Sequence, residues 1–182
     1  EITAAVTENL GKRNTSVCKM AQAVGAEIFP VDIGVNTDQI FPGVISRKVK
    51  KGTNDFLLEP AMSEREAMQA IQVGMELVKE CKEAGYTLLG TGEMGIGNTT
   101  TSAAMAAALL SVSPEIVVGR GAGLSDEGLA TKRRVIADAL EKYQLRGTEP
   151  MRILCSVGGL DIAGLCGVFL GGAKYHMPIV AD

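Results

Sequence analysis

Residues 86–110 read YTLLGTGEMGIGNTTTSAAMAAALL, and this stretch decides the fold class. It opens with a short apolar run, 86–89, which predicts a buried strand. It closes with an alanine-rich run that predicts a helix from Asn98 or Thr99 to Leu110. The glycine-rich segment between them is typical of the loop that joins a strand to a helix in α/β proteins.

Apolar runs and helical patterns alternate on both sides of this stretch. Further strands are predicted at 27–34, 151–157 and 178–180. Helices are predicted over 2–24 with a break at Gly11, from Ser63 to about 84, from Ser125 to 143, and over 162–174. Continuous apolar strands between helices predict a Rossmann-like three-layer α/β/α fold with a mostly parallel sheet. The length of 182 residues predicts a single α/β domain over 1–182.

Composition excludes several classes of protein. A net charge of −3 and a pI near 5.3 argue against a nucleic-acid partner or an anionic membrane surface. No apolar run approaches the ~18 residues of a membrane span. The four cysteines have no CxxC or Cys/His spacing, so we expect reduced core thiols in a cytoplasmic protein, with no metal site.

The run 90–95 fits GxGxxG, the pattern of a dinucleotide-binding turn. Three observations oppose that interpretation. Glu93 would place a carboxylate where the pyrophosphate binds, and the helix begins too late for the usual tight turn. The acidic residue about 20 positions further on, Glu115, precedes an apolar run instead of following a strand.

The loop still resembles a ligand site. Gly95 and Gly97 allow backbone amides to approach an anion, and Asn98 and Thr99 offer polar groups at a helix N-terminus. Glu93 does not suit a phosphate, but it suits a ligand N–H or a proton to be removed. The alternative is a helix-capping turn with a solvated Glu93, and the residues alone leave both interpretations open.

Two further glycine clusters precede helices. One is 119–126, followed by Lys132 two turns into the next helix, and the other is 156–161. We expect all three clusters at the carboxyl edge of one parallel sheet, converging on one ligand. A plain loop with a surface Lys132 is the alternative for the second cluster. Asp32 and Asp161 lie near glycines at the ends of predicted strands and either bind a ribose or cap a helix.

These clusters resemble the nicotinate-nucleotide:dimethylbenzimidazole phosphoribosyltransferase family. Its signature is similar to GTGEMGIGNTT at 90–100, a much longer and more specific string than GxGxxG. The other matching segments occur in the family's order, and the resemblance covers essentially the whole chain: 1–3, 31–35, 119–124 with Lys132, and 158–163.

The resemblance implies that 1–182 is the central, nucleotide-binding segment of a chain roughly twice as long, from a homodimer. It implies transfer of phosphoribose from nicotinate mononucleotide to 5,6-dimethylbenzimidazole, giving α-ribazole 5′-phosphate for the lower ligand of cobalamin. No metal or cofactor is implied. The family's main general base would lie beyond Asp182, so the alternative is a nucleotide-binding module without catalysis.

The resemblance also assigns residues. It implies that Glu93 lies near the acceptor base and takes part in catalysis. Asp161 stands where many relatives have Glu. The implied substrate-binding residues are Glu93, Met94, Gly95, Gly97, Asn98, Thr99, Gly121, Lys132, Gly158, Gly159 and Asp161.

Overall fold

The structure, a computed structural model, describes residues 2–121 and 123–181. Glu1, Ala122 and Asp182, which belong to segments singled out above, lie outside the described residues. The chain forms two compact units, Glu1–Gly52 and Thr53–Asp182, and each is described by itself. That they make up one nucleotide-binding domain stays a prediction.

The first unit contains two helices and one pair of parallel strands among its described residues. Helix α1 is Ile2–Gly11 and α2 is Ser16–Val24, so the predicted break at Gly11 is confirmed. Strand β1, Val31–Asp32, pairs in parallel with β2, Ile45–Ser46. The predicted strand at 27–34 is therefore shorter than its apolar run.

Asp32 is buried in this unit and organises the turn after β1. Its Oδ1 accepts from the amides of Gly34 at 3.1 Å and Val35 at 2.8 Å, and its Oδ2 pairs with Lys48 at 3.0 Å. The Lys48 ammonium also donates to the Val35 and Thr37 carbonyls. Asp32 thus holds an Asx-type turn in place and does not cap a helix.

The second unit contains the remaining elements. In chain order they are α3 (Glu64–Glu83), β3 (Leu89–Gly90), α4 (Thr99–Leu110), α5 (Pro114–Val117), α6 (Asp126–Lys142), α7 (Pro150–Val157), α8 (Leu160–Tyr175) and β4 (Ile179–Val180). Strand β3 pairs in parallel with β4, with Leu89 opposite Ile179. The prediction of an α/β fold with parallel strands is confirmed.

Local signals predicted the helix starts well. The Ser63 hydroxyl accepts from the Glu66 amide at 3.3 Å, and Glu66 Oε2 accepts from the Ser63 amide at 2.8 Å. This is the capping box that the sequence predicts for α3. Helix α6 begins after its N-cap, Ser125, whose hydroxyl accepts from the Gly128 amide.

The prediction of a strand at 151–157 is wrong, because these residues form helix α7. Pro150 occupies the first turn, where its fixed φ favours a helix and its missing N–H costs nothing. Ile153, Leu154 and Val157 are buried, a spacing that one face of a helix provides. A short apolar run fits a buried strand equally well, so periodicity alone could not separate the two.

Helices α3 and α8 pack so closely that backbone meets backbone. A Cβ added at Gly74 would lie 2.0 Å from the Gly164 carbonyl oxygen, and one at Gly167 would lie 1.9 Å from the Ile71 carbonyl oxygen. Neither position has room for a side chain. This contact brings β3 and β4 together, because β3 shortly follows α3 and β4 shortly follows α8.

The structure also bears on the expectations for membrane spans and cysteines. Among the described residues, no helix is both long and apolar enough to span a membrane. All four cysteines are free thiols, and Cys18 and Cys81 are buried. The expectation of a core position is wrong for Cys166, which is exposed. It lies two residues, or about 200°, around α8 from Gly164 on the packed face.

Gly167→Ala should destabilise the protein by about 1–3 kcal/mol, because the added methyl must push α8 away from the Ile71 carbonyl. Gly128→Ala, near the start of α6, is the matched control. The atoms nearest to its new methyl belong to the Leu124 and Ser125 side chains and not to backbone, and alanine favours a helix by about 1 kcal/mol over glycine. Urea unfolding measures both. Equal stabilities for the two variants would show that the α3–α8 contact can relax.

Candidate functional site

The loop between β3 and α4 is folded around the Glu93 carboxylate. Gly95 and Gly97 have φ values of +74° and +78°, a region that favours glycine. These turns bring the Gly95 amide and the Asn98 side-chain Nδ2 to Glu93 Oε2, and both donate to it. Glu93 is exposed, so its carboxylate is held by the loop and still reaches solvent.

Asn98 joins this loop to the third glycine cluster. It is the residue before α4, and its Nδ2 also donates to Asp161 Oδ2 at 2.9 Å. Asp161 is the last residue of that cluster and lies in the first turn of α8. One side-chain amide therefore contacts two carboxylates that are far apart in sequence.

Thr99 joins the loop to the second glycine cluster. The Lys132 ammonium donates to Thr99 Oγ1 at 2.9 Å and to the Gly119 carbonyl at 3.4 Å. Gly121 also lies against Thr99, since a Cβ at Gly121 would be 3.0 Å from Thr99 Oγ1. Lys132 is buried, with 7% of its surface exposed, so the alternative of a plain surface lysine is wrong.

The three clusters thus meet at the N-terminus of α4, but not by the predicted route. Only the first follows a strand among the described residues; the second follows α5 and the third follows α7. The prediction that all three leave one edge of a parallel sheet is therefore wrong. Helix packing in the second unit brings them together instead.

The N-terminus of α4 separates opposite charges. Asn98 contacts the acidic pair, Glu93 and Asp161, and the next residue, Thr99, contacts the ammonium of Lys132. The Asn98 side chain does not cap α4, and the first turn of this helix holds no acidic residue. Amides at such a helix start favour an anion.

The electrostatics of Lys132 favour an anion as well. Burial lowers the pKa of its ammonium below the ordinary value of 10.5. In the part of the chain that the structure describes, its polar partners are a hydroxyl and a carbonyl, with no carboxylate within ion-pair distance. A buried cation without a counter-ion is costly, and a bound phosphate would supply the missing charge.

The remaining predicted residues frame this region. Met94 is half-buried in the first loop, and Gly158 and Gly159 are buried at the junction of α7 and α8. A Cβ at Gly159 would lie 2.3 Å from Asp161 Oδ1, so this glycine gives Asp161 its place. Across residues 2–121 and 123–181, no group of three or more His, Cys, Asp or Glu side chains could hold a metal ion.

Two contributors were missed in the sequence. The Gly119 carbonyl accepts from Lys132, and the Thr101 hydroxyl donates to the Asn98 carbonyl at 2.7 Å. The run of threonines at 99–101 was a usable signal, because hydroxyls in a first helical turn commonly bond nearby backbone groups. No local signal identifies the carbonyl of Gly119.

Comparison with known proteins identifies the family of the chain. A family model described as phosphoribosyltransferase matches residues 1–182. The chain belongs to this family. Its nicotinate-nucleotide–dimethylbenzimidazole phosphoribosyltransferase relatives include those of Alkaliphilus metalliredigens, 47% identical over 184 residues, and Ruminiclostridium cellulolyticum, 45% identical over 181 residues.

A solved structure is similar throughout. The crystal structure of CobT from Thermus thermophilus has a TM-score of 0.92 and 37% sequence identity. It covers 100% of this phosphoribosyltransferase-family chain, which in turn covers 55% of the solved one. The two sequence relatives also match the full length of this chain, and the match spans 52% and 51% of their own lengths. It therefore spans about half the length of the relatives it matches.

Lys132→Met tests whether the buried Lys132 ammonium destabilises the protein when no ligand is bound. Methionine keeps most of the length of the side chain and removes the buried charge, so the free energy of unfolding at pH 7 should be unchanged or higher. The lowered pKa also fixes a pH dependence. Between the native pKa and 10.5 the unfolded chain binds more protons, so wild-type stability rises with pH there, and the variant lacks this rise.

Urea unfolding at several pH values measures both effects. A loss of about 2 kcal/mol or more at pH 7 would contradict the interpretation, since that is the size of a charged hydrogen bond worth keeping.

Proposed function

We propose that this chain forms the nucleotide-binding part of an enzyme that transfers phosphoribose from nicotinate mononucleotide to 5,6-dimethylbenzimidazole. The products are nicotinate and α-ribazole 5′-phosphate, the precursor of the lower ligand of cobalamin. The observation that carries the proposal is the separation of charge at the N-terminus of α4. It offers one place for an anionic phosphate and another for a base with an N–H.

The Lys132 side supports binding of the donor. Its ammonium, the Thr99 hydroxyl and the amides of the glycine loops are the groups that recognise a phosphate. Asp161 and the buried pair Gly158–Gly159 adjoin this side and suit the ribose hydroxyls. The 5′-phosphate and ribose of nicotinate mononucleotide meet both requirements.

The Glu93 side supports binding of the acceptor. An ionised carboxylate is a strong hydrogen-bond acceptor for the N–H of a benzimidazole, and the exposed position of Glu93 lets a ligand reach it. Met94 follows directly and offers a flexible apolar contact for a flat ring.

The proposed reaction needs few catalytic groups. One benzimidazole nitrogen attacks C1′ of the donor from the face opposite the pyridinium, which inverts the configuration from β to α. The C1′–N bond to the pyridine ring breaks, and its electron pair neutralises the positive ring nitrogen as nicotinate leaves. The other benzimidazole nitrogen loses its proton to a carboxylate, a role in which Glu93 takes part.

The proposal includes a homodimer in the cytoplasm. Exposed apolar side chains on α4 (Leu109, Leu110) and α8 (Phe169, Leu170) support a contact with further protein. The free thiols support a reducing compartment.

Turnover by the full-length protein tests the function. Incubation with nicotinate mononucleotide and dimethylbenzimidazole should release nicotinate and form α-ribazole 5′-phosphate in equal amounts, and omission of either substrate should stop both. Chromatography of the products measures this. Donor binding without turnover would indicate the alternative, a nucleotide-binding module.

Lys132→Met in the full-length protein should raise the KM for nicotinate mononucleotide by about 10- to 150-fold. Loss of a charged hydrogen bond to phosphate costs about 1.5–3 kcal/mol. The KM for dimethylbenzimidazole should change much less. Lys142→Met is the matched control, because Lys142 lies at the far end of the same helix and donates to the Leu57 and Leu58 carbonyls. An unchanged donor KM would remove Lys132 from the phosphate site.

A further inference from the structure

The hydrogen bonding of Asn98 is unusual for a residue at the start of a helix. An asparagine there normally accepts a hydrogen bond from the first-turn amides through its side-chain oxygen. Asn98 makes no such bond, and its φ and ψ of −119° and −10° differ from the extended backbone of a usual cap. Its side chain turns its nitrogen toward two carboxylates instead.

The chemistry of the three groups fixes the direction of the amide. Ionised carboxylate oxygens only accept hydrogen bonds, so the Nδ2 of Asn98, with its two N–H donors, must face them. One N–H goes to Glu93 Oε2 and the other to Asp161 Oδ2. Asp161 thereby sets which way the amide faces, and the amide in turn sets the position of Glu93.

Hydrogen bonds from the described residues hold one oxygen of the Glu93 carboxylate and not the other. Both of its donors, the Gly95 amide and Asn98 Nδ2, bond Oε2. Within the described residues, Oε1 receives no hydrogen bond and belongs to an exposed side chain. One carboxylate oxygen is therefore fixed, and the other is left to accept from a ligand.

We propose that Asn98 is a positioning residue for the transfer reaction: with Asp161 as its anchor, it holds Glu93 by Oε2 so that Oε1 meets the N–H of the acceptor base. This inference rests on the proposed function, because it assigns Glu93 to the acceptor. Asn98 touches no reacting atom and acts through Glu93 alone. Helix α4 therefore lacks a capping bond from the Asn98 side chain, because that side chain holds the Glu93 carboxylate instead.

Asn98→Ser separates this role from a structural one. Serine is as good a residue before a helix as asparagine, but it is too short to reach both carboxylates. The helix should therefore be kept, and the stability of Asn98→Ser should equal or exceed that of the wild type. The kcat should fall about 10- to 100-fold, the cost of a misplaced catalytic group, and the KM for nicotinate mononucleotide should change much less. Asn9→Ser, at an exposed position of α1, is the matched control.

A double-mutant cycle with Glu93→Gln tests the route of the effect. Glu93→Gln keeps the size of the side chain and removes its charge, and by itself should lower kcat. If Asn98 acts through that carboxylate, Asn98→Ser should lower kcat by less than about 2-fold in the Glu93→Gln background. An equal loss of kcat in both backgrounds would overturn the proposal, because independent effects multiply.

A measurement without turnover keeps the inference separate from the proposed function. In protein labelled with ¹⁵N-asparagine, the side-chain NH₂ signal that is missing in Asn98→Ser identifies Asn98. Its hydrogen exchange should be slow and should speed up at least several-fold in Glu93→Ala and in Asp161→Ala. Unchanged exchange in either variant would overturn the proposal. A wild-type enzyme without turnover would count against the proposed function only.

Discussion

The second unit depends on the backbone contact between α3 and α8. Glycines at positions 74 and 167 let the carbonyl of one helix approach the Cα of the other, at a distance that any larger residue prevents. The contact has two consequences. It lines up β3 with β4 over the buried Val78, Cys81 and Met177, and it fixes the start of α8, where Asp161 lies. The site thus depends on packing well away from it.

The N-terminus of α4 is the second constraint, and it is electrostatic. Two adjacent residues, Asn98 and Thr99, contact groups of opposite charge that come from different parts of the chain. The arrangement leaves a helix without its side-chain cap and a lysine buried without a carboxylate in the described chain. Both features oppose stability in the free protein, and an anion bound at this helix start would offset both. Local features that lower stability are expected at functional sites.

Local sequence predicted helix boundaries where a capping residue or a helix-breaking glycine marks them. The capping box at Ser63 and Glu66, the serine before α6 and the break at Gly11 all depend on neighbours a few residues away, and all are confirmed. The loop signature at 90–100 also predicted a strand, a loop and a helix in the right order. The strands themselves were overestimated, because β1, β3 and β4 each pair over two residues although the apolar runs are longer.

The sequence by itself determined the α/β class, the family, the helix starts and the residues of the three glycine clusters, because these depend on local bonds or on an unbroken string of residues. Tertiary structure alone decided that 151–157 is a helix, since a short apolar run satisfies a buried strand and a buried helix equally. It alone decided that Lys132 is buried against Thr99, and that Asn98 links Glu93 to Asp161. These contacts join residues 33 and 63 positions apart, and only the packing of whole helices brings such groups within a hydrogen bond of each other.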